Sequence, residues 1–311
     1  QEVLTHARRT IKFMELFEFQ LKIMERRKKE RIRNPHYIVD YDNDQLKAFI
    51  QTLPFELTED QKKTTNEICR DLRDNVSMHR MLQGDVGSGK TVVSGIATYA
   101  IKTIGEQTAL MVPTEVLAKQ HYESFTELFG DKLNITLLTA STTKKTRNDV
   151  LNQLADGSCD LVIGTHALIE DDIVFDKLSL IIVDEQHRFG VNQRNRLIAK
   201  ASRRNVLYMT ATPIPRTLSI TTYGDMDVST IKTMPKGRRP VITKHHTFDD
   251  LDIILNMIAS ELNKGYSIYV VAPLIEESET IEVENVNEIF EFFIDAFGKE
   301  NVELVHGQLK A

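Results

Sequence analysis

The stretch that decides the fold is Gly84-Asp85-Val86-Gly87-Ser88-Gly89-Lys90-Thr91, which matches the pattern G-x-x-x-x-G-K-[ST] in full. An apolar run, Met78–Gln83, precedes it, and a helical pattern follows it. Glycines let the backbone turn so that successive N–H groups point at one phosphate, and a helix N-terminus adds positive potential there. The stretch therefore predicts a phosphate-binding loop between a strand and a helix.

Each residue of this loop, 84–91, is a candidate nucleotide ligand. We expect Lys90 to reach the β- and γ-phosphates of ATP and the Thr91 hydroxyl to bind Mg²⁺. The alternative is a glycine-rich turn without a ligand, but the surrounding strand and helix patterns argue against it. ATP and Mg²⁺ are thus the predicted cofactors.

A second candidate segment, Asp184-Glu185-Gln186-His187, follows the apolar run Leu180–Val183. Ligands of open α/β sheets bind at the carboxyl ends of the strands, where both carboxylates would lie. We expect Asp184 to hold Mg²⁺ through water, and Glu185 to orient and deprotonate the attacking water. The alternative is a pair of solvated acids after an edge strand.

Thr210-Ala211-Thr212 follows the next apolar run. We expect the hydroxyls of Thr210 and Thr212 to link the Asp184–Glu185 loop to a neighbouring lobe. Taken alone, the segment also fits a common turn, so this role depends on the carboxylates that precede it.

Alternating short apolar runs and helical stretches predict an α/β fold, a parallel sheet with helices on both faces. The predicted strands of its first part are Met78–Gln83, Thr108–Val112, Ile135–Thr139, Asp160–Gly164, Leu180–Asp184 and Val206–Thr210. Residues 235–240 are typical of a linker, after which the alternation resumes. There we expect strands at 241–244, 267–272 and 302–306, and helices at 249–263 and 284–297.

Residues 1–32 are predicted to form one helix, because apolar residues recur every three or four positions from Val3 to Met24. A basic run, 26–29, follows the stripe. The helix fits a basic arm that contacts DNA, the solvated end of a packing helix, or a short coiled coil.

Composition sets broader limits on the 311-residue chain, which is 41% hydrophobic and carries a formal net charge of -6. A negative net charge is a weak argument against nucleic-acid binding, since motor domains bind DNA through local contacts. No run approaches the roughly 18 apolar residues of a membrane span. We expect a cytoplasmic protein without membrane partners, whose Cys69 and Cys159 stay reduced.

In this order, the loop 84–91, the segment 184–187 and the segment 210–212 resemble motifs I, II and III of superfamily 2 helicases. The resemblance implies that Gln61 contacts adenine, and that Thr114 and Thr165 face the DNA backbone. The two threonines also fit helix caps. For His187, the resemblance implies coupling to nucleotide or to the second lobe, whereas the sequence alone also allows a core histidine.

Longer strings narrow this resemblance to the bacterial RecG family of branched-DNA helicases: Asp184–Val191, Met209–Leu218, Tyr223–Asp227 and Val271–Ser278. The resemblance implies an ATP-dependent DNA helicase or translocase that acts as a monomer on forks and Holliday junctions in recombination and repair. It also implies a RecA-like fold. Residues 1–50 would be a helical linker after a wedge domain, 51–235 a complete ATP-binding lobe, and 236–311 an incomplete second lobe.

The family pattern includes a wedge domain and motifs V and VI that this sequence does not contain. We therefore expect a fragment that binds ATP but hydrolyses it weakly, because motif VI supplies an arginine to the site. One alternative is the related transcription-repair coupling DNA translocase. A GTPase is disfavoured because the sequence lacks its guanine-reading motif, and a non-catalytic scaffold because Lys90, Thr91, Asp184 and Glu185 are intact.

Overall fold

The computed structural model describes residues 2–30, 33–212, 226–234, 241–271 and 286–305. The chain divides into two compact units, residues 1–238 and residues 239–311. The predicted linker 235–240 lies outside the described residues, as does most of the string Met209–Leu218.

The first unit is built on a parallel sheet. Its strands are β1 (His79–Gly84), β2 (Gln107–Met111), β3 (Ile135–Leu138), β4 (Leu161–Gly164), β5 (Leu178–Asp184), β6 (Asn205–Thr210) and β7 (Asp227–Ile231). They lie in the order β3-β4-β2-β5-β6-β1-β7, and every pair is parallel. The α/β fold and the first six strands were predicted, and both are confirmed.

The seventh strand, β7, was not predicted, because one of its buried residues is polar and one of its apolar residues is exposed. Ser229 is buried in β7, whereas Val228 is 40% exposed. The buried hydroxyl is satisfied by Arg80 of β1, whose Nη1 donates to Ser229 Oγ at 2.8 Å. Arg80 is itself paired with Asp71 at 2.7 Å. A strand that buries a serine beside an arginine has no apolar alternation to recognise.

Helices flank the sheet or stand outside it. Their bounds are α1 (Glu2–Glu30), α2 (Asn43–Gln51), α3 (Glu59–Leu72), α4 (Lys90–Lys102), α5 (Glu115–Phe129), α6 (Lys144–Ala155), α7 (Val191–Lys200), α8 (Leu251–Leu262) and α9 (Val286–Phe297). Polar side chains cap several N-termini, as expected for the unpaired N–H groups of a first turn. Thr58 caps α3 in a capping box with Gln61, Asp42 caps α2, and Thr143 caps α6.

Each face of the sheet carries its own hydrophobic core. Leu110 and Ile182 lie in the core beneath α2, α3, α4 and α5, while Ala109 and Ile181 lie in the core beneath α6 and α7. Successive residues of one strand point to opposite faces, so a strand covered on both sides must be apolar throughout. This requirement explains the continuous apolar runs by which the strands were predicted.

The predicted N-terminal helix is confirmed as α1, but its apolar stripe is not covered. Ile11, Met14 and Phe17 are each more than half exposed. The packing-helix interpretation therefore finds no packed face among the described residues. None of the helices in the part of the chain that the structure describes has the length and hydrophobicity to cross a bilayer.

In the second unit the predicted helices are confirmed as α8 and α9, but the predicted strands are wrong. The described residues of 241–244, 267–272 and 302–306 form no strand. A β-strand exists only where a neighbour accepts and donates backbone hydrogen bonds. Within the described residues of this unit no such ladder forms, so apolar segments remain irregular.

Candidate nucleotide-binding and hydrolysis site

The predicted phosphate-binding loop joins the end of β1 to the first turn of α4. Gly87 and Gly89 have φ values of 78° and 95°, a region that side-chain-bearing residues rarely adopt. At Gly89 there is also no room for a side chain, since a Cβ would lie 2.2 Å from Gln61 Nε2. The first turn of α4, which begins at Lys90, directs backbone N–H groups towards the loop. These features provide the anion-binding geometry expected from the sequence.

Lys90 extends along this loop, and its ammonium donates to the carbonyl oxygens of Gly84 at 2.6 Å and Asp85 at 3.0 Å. Burial lowers the pKa of Lys90, and the nearby carboxylates of Asp184, Glu185 and Asp85 oppose that shift. The ammonium is therefore poorly solvated and interacts electrostatically with three carboxylates. Such a cation is suited to bind phosphate oxygens, which would replace the hydration that burial removes.

Gln61 is buried, and both ends of its amide are occupied within the protein. Its Nε2 donates to Ser88 O at 2.8 Å, and its Oε1 accepts from Thr58 N at 2.9 Å. In this conformation Gln61 holds the phosphate-binding loop against the N-terminus of α3. The adenine contact implied by the resemblance stays a prediction.

The two carboxylates lie at the carboxyl end of β5, as predicted, and Glu185 occupies an unusual backbone conformation. Its φ and ψ are 49° and 51°, in the left-handed region. A non-glycine residue there costs roughly 1–3 kcal/mol and persists where neighbours hold it. Here Glu185 N donates to Met209 O at 3.1 Å, and Ala211 N donates to Glu185 Oε1 at 3.4 Å. The strained turn thus directs the carboxylate towards the end of β6.

The three residues predicted to couple the site lie around this carboxylate. His187 is about half exposed, with its Nδ1 3.4 Å from Glu185 Oε2. Thr210 is buried and its hydroxyl lies 2.8 Å from that of Thr212. The backbone between the two threonines, Ala211, makes the direct contact to Glu185. The structure brings 184–187 and 210–212 together as predicted, and their role in coupling to a second lobe stays a prediction.

Sequence reasoning did not include His121 in the site. Its Nε2 lies 2.8 Å from Asp184 Oδ2, and the two side chains are only 14% and 12% exposed. His121 lies on α5, which follows β2, and β2 is the neighbour of β5 in the sheet. The signal that would identify this contact is therefore the order of the strands in the sheet. Only a strand order that places β2 beside β5 brings this histidine to Asp184.

Thr114 and Thr165, the predicted DNA contacts, both follow strands at the carboxyl edge of the sheet. Thr114 caps α5, because its Oγ1 accepts from Leu117 N at 3.3 Å. Thr165 is 2% exposed, and its Oγ1 has no hydrogen-bond partner within the described structure. Thr114 therefore acts as a cap, and DNA contacts by either residue stay predictions.

ATP and Mg²⁺ fit the residues that are present. Lys90 and the loop N–H groups can bind phosphate, and the Thr91 hydroxyl and Asp184 offer hard oxygen ligands, which Mg²⁺ prefers. The strand order β5-β6-β1 places a single strand, β6, between the strand that ends at Asp184 and the strand that leads into the phosphate-binding loop.

Comparisons with known proteins agree with this geometry. The family model for DEAD/DEAH box helicases matches residues 58–220. The chain is 54% identical over 312 residues to the ATP-dependent DNA helicase RecG of Staphylococcus aureus (strain NCTC 8325 / PS 47). That match covers 100% of this chain and 46% of the relative. The RecG helicase of Staphylococcus epidermidis (strain ATCC 12228 / FDA PCI 1200) is 52% identical over 309 residues, which cover 99% of this chain.

Among solved structures, RecG bound to a three-way DNA junction superposes with a TM-score of 0.78 at 36% identity, covering 94% of this chain and 38% of that one. The chain thus spans less than half the length of the relatives it matches. The resemblance to RecG-type helicases predicted from the sequence is confirmed. This chain belongs to the DEAD/DEAH box helicase family, and its similarity over its whole length is to RecG helicases.

Proposed function

We propose that this chain is the ATP-driven motor of a DNA helicase or translocase that acts on branched DNA in recombination and repair. The observation that carries the proposal is the common edge at which Lys90, Asp184 and Glu185 lie, with Glu185 tied to Ala211 after β6. A metal ligand, a phosphate-binding cation and a general base at one edge are the parts that nucleotide hydrolysis requires.

In the proposed mechanism, the loop 84–91 binds the phosphates through backbone N–H groups and the Lys90 ammonium. Thr91 and Asp184 would hold Mg²⁺, which, when bound, neutralises charge on the β- and γ-phosphate oxygens. Glu185 orients a water molecule in line with the γ-phosphate and accepts its proton on a carboxylate oxygen. The carboxylate stays in position because Ala211 N donates to it and the turn at Glu185 fixes its direction.

The contact between Glu185 and Ala211 also suggests how hydrolysis is sensed. A proton or charge change on Glu185 alters its hydrogen bond to the 210–212 segment directly. We propose that Thr210, Thr212 and His187 pass this change to the second lobe, 236–311, and that residues 51–235 act as the ATP-binding lobe. Residues 1–50 would link this motor to a domain that recognises the branch.

The partner that we propose is branched DNA, bound by a monomer in the cytoplasm. Relatives named RecG are ATP-dependent DNA helicases, and one was solved on a three-way junction. Thr114 and Thr165 follow β2 and β4 at the carboxyl edge of the sheet, and we propose that this edge faces the DNA backbone. Because Thr114 caps α5, Thr114→Ser would keep the cap and Thr114→Val would remove it.

The decisive experiment measures binding of a fluorescent ATP analogue and ATP hydrolysis, each with and without a three-way DNA junction. Lys90→Ala should abolish nucleotide binding. Glu185→Gln should keep binding and lower hydrolysis on the order of 10²–10⁴-fold, as loss of a general base does. Equal hydrolysis by the Glu185→Gln variant would reject the assigned base. Because this chain alone is expected to hydrolyse ATP weakly, the DNA response is measured on a chain lengthened to span its RecG relatives, and a rate of that chain indifferent to every DNA tested would reject the motor.

A further inference from the structure

We propose that His121 is a positioning residue that fixes the carboxylate of Asp184 for metal binding. The inference rests on the proposed nucleotide function. Its basis is the 2.8 Å contact between His121 Nε2 and Asp184 Oδ2, made by residues 63 positions apart in the chain. Because an ionised carboxylate only accepts hydrogen bonds, the histidine nitrogen is the donor.

The two oxygens of Asp184 are held from two directions. Oδ2 accepts from His121, and Oδ1 accepts at 3.1 Å from Glu185 N, an N–H that it shares with Met209 O. One donor on each oxygen fixes the plane of the carboxylate, while each oxygen keeps a lone pair for a metal ion or its water. Within the described residues, His121 is the side chain that hydrogen-bonds this carboxylate, and the other donor is backbone.

The imidazole is itself held in place. His121 lies in the second turn of α5, and its ring is 6.3 Å from that of Phe125. Phe125 is fully buried and its ring is 5.6 Å from that of Phe129, on the same helix. The histidine therefore extends from a packed face of α5 rather than from a mobile loop, so its donor has little freedom to move away.

Hydrogen-bond partners behind a metal ligand typically change metal affinity by roughly 10–100-fold when they are removed. The readout that separates this role from a purely structural one is therefore the metal requirement of nucleotide binding. A side chain that merely filled space would alter folding, or nucleotide affinity with and without metal alike. Loss of a positioning residue alters only the Mg²⁺-dependent part of the nucleotide affinity.

The experiment titrates a fluorescent ATP analogue against the chain, first with EDTA and then at increasing Mg²⁺. His121→Phe keeps an aromatic ring but removes the donor. We expect its metal-free affinity to match that of the wild type, and its Mg²⁺ requirement to rise by roughly 10–100-fold. Glu127→Gln, an exposed substitution on the same helix, is the control and should leave both quantities unchanged.

Two further variants keep the test decisive if His121→Phe folds poorly. The amide nitrogen of glutamine can reach the position of His121 Nε2, whereas the shorter asparagine cannot. His121→Gln should therefore have an Mg²⁺ requirement close to that of the wild type, whereas His121→Asn should show the raised requirement expected of His121→Phe. The circular dichroism melting curve of each variant shows whether it is folded.

A wild-type Mg²⁺ requirement in His121→Phe, or equal behaviour of the glutamine and asparagine variants, would overturn the inference and leave the proposed function intact. A wild-type chain that binds no nucleotide at any Mg²⁺ concentration would overturn both. Rescue by glutamine, with unchanged metal-free affinity, would establish the positioning role.

Discussion

Both compact units contain apolar segments, but the two units use them differently. In the first unit, strands such as β2 and β5 are buried along their whole length between two layers of helices. In the second, none of the residues 241–247, 249–271 and 289–305 is buried, although α8 and α9 are rich in isoleucine, leucine and phenylalanine.

The difference teaches that an apolar segment becomes a strand only when a neighbour completes its hydrogen bonds. The same reasoning predicted strands in both units, and it succeeded for six of the seven strands that share one sheet. In the second unit the segments 241–244 and 267–271 lack such neighbours within the described residues and stay irregular. Apolar pattern is a local property, whereas a parallel sheet is a collective one.

The largest effect is expected when the two units are separated. Residues 1–238 should keep a cooperative thermal transition, because the sheet and both of its cores lie within them. Residues 239–311 alone should show none, because the described part of this unit has no buried core. Calorimetry on each piece tests this. A cooperative transition in 239–311 would break the comparison.

Next in size is the loss of one aromatic ring from each unit. Phe129 is fully buried against Phe49 and Phe125, so Phe129→Ala should lower the free energy of unfolding by about 3–5 kcal/mol. Phe293 of α9 is only half-buried, and Phe293→Ala should cost under about 1 kcal/mol. Urea denaturation compares the two. Equal losses would mean that the second unit has a packed core after all.

A smaller effect tests how tightly the first core is packed. A Cβ at Gly95 would lie 2.3 Å from Phe129 Cε2, so Gly95→Ala should overpack the core beneath α4 and cost about 1–3 kcal/mol. The double variant Gly95→Ala/Phe129→Leu should recover part of this loss, since leucine vacates the space. If Gly95→Ala is stabilising in urea denaturation, the helix propensity of alanine outweighs the clash and the core is less rigid than described.

At neutral pH the smallest effect on stability is expected from the thiols, both of which belong to the first unit. Burial raises the pKa of Cys69 and of Cys159 to about 11, from an ordinary value of 9.0. Because each thiol has a higher pKa in the folded protein than in the unfolded chain, its contribution to folding stability is fully present below about pH 9. That contribution is lost as the pH rises through about 11. At pH 8 roughly 0.1% of each thiol is thiolate, the reactive form. A disulfide reagent should therefore titrate no thiol in the native protein and two in guanidinium chloride.

The fold of the first unit could be predicted because helices cover its sheet on both faces, and the strands therefore consist of long apolar runs. The loop 84–91 and the pair Asp184–Glu185 could be predicted because their chemistry needs consecutive residues. His121 could not, since its contact depends on which strands are neighbours. The engagement of Gln61 with Ser88 and Thr58 was also hidden, because an amide can equally face a ligand or the protein.

The strand order has a consequence for synthesis on the ribosome. β1 lies between β6 and β7, and the residue before it, Met78, donates to Asn205 Oδ1, 127 residues later. At about 5–20 residues per second, roughly 6–25 seconds pass between translation of the two partners. During that interval β1 has neither neighbour, and its apolar face and open edges are available to other nascent chains. The β6-β1-β7 side of this sheet is the last part that can be completed, so chaperone dependence should be greatest while residues 80–205 are being made.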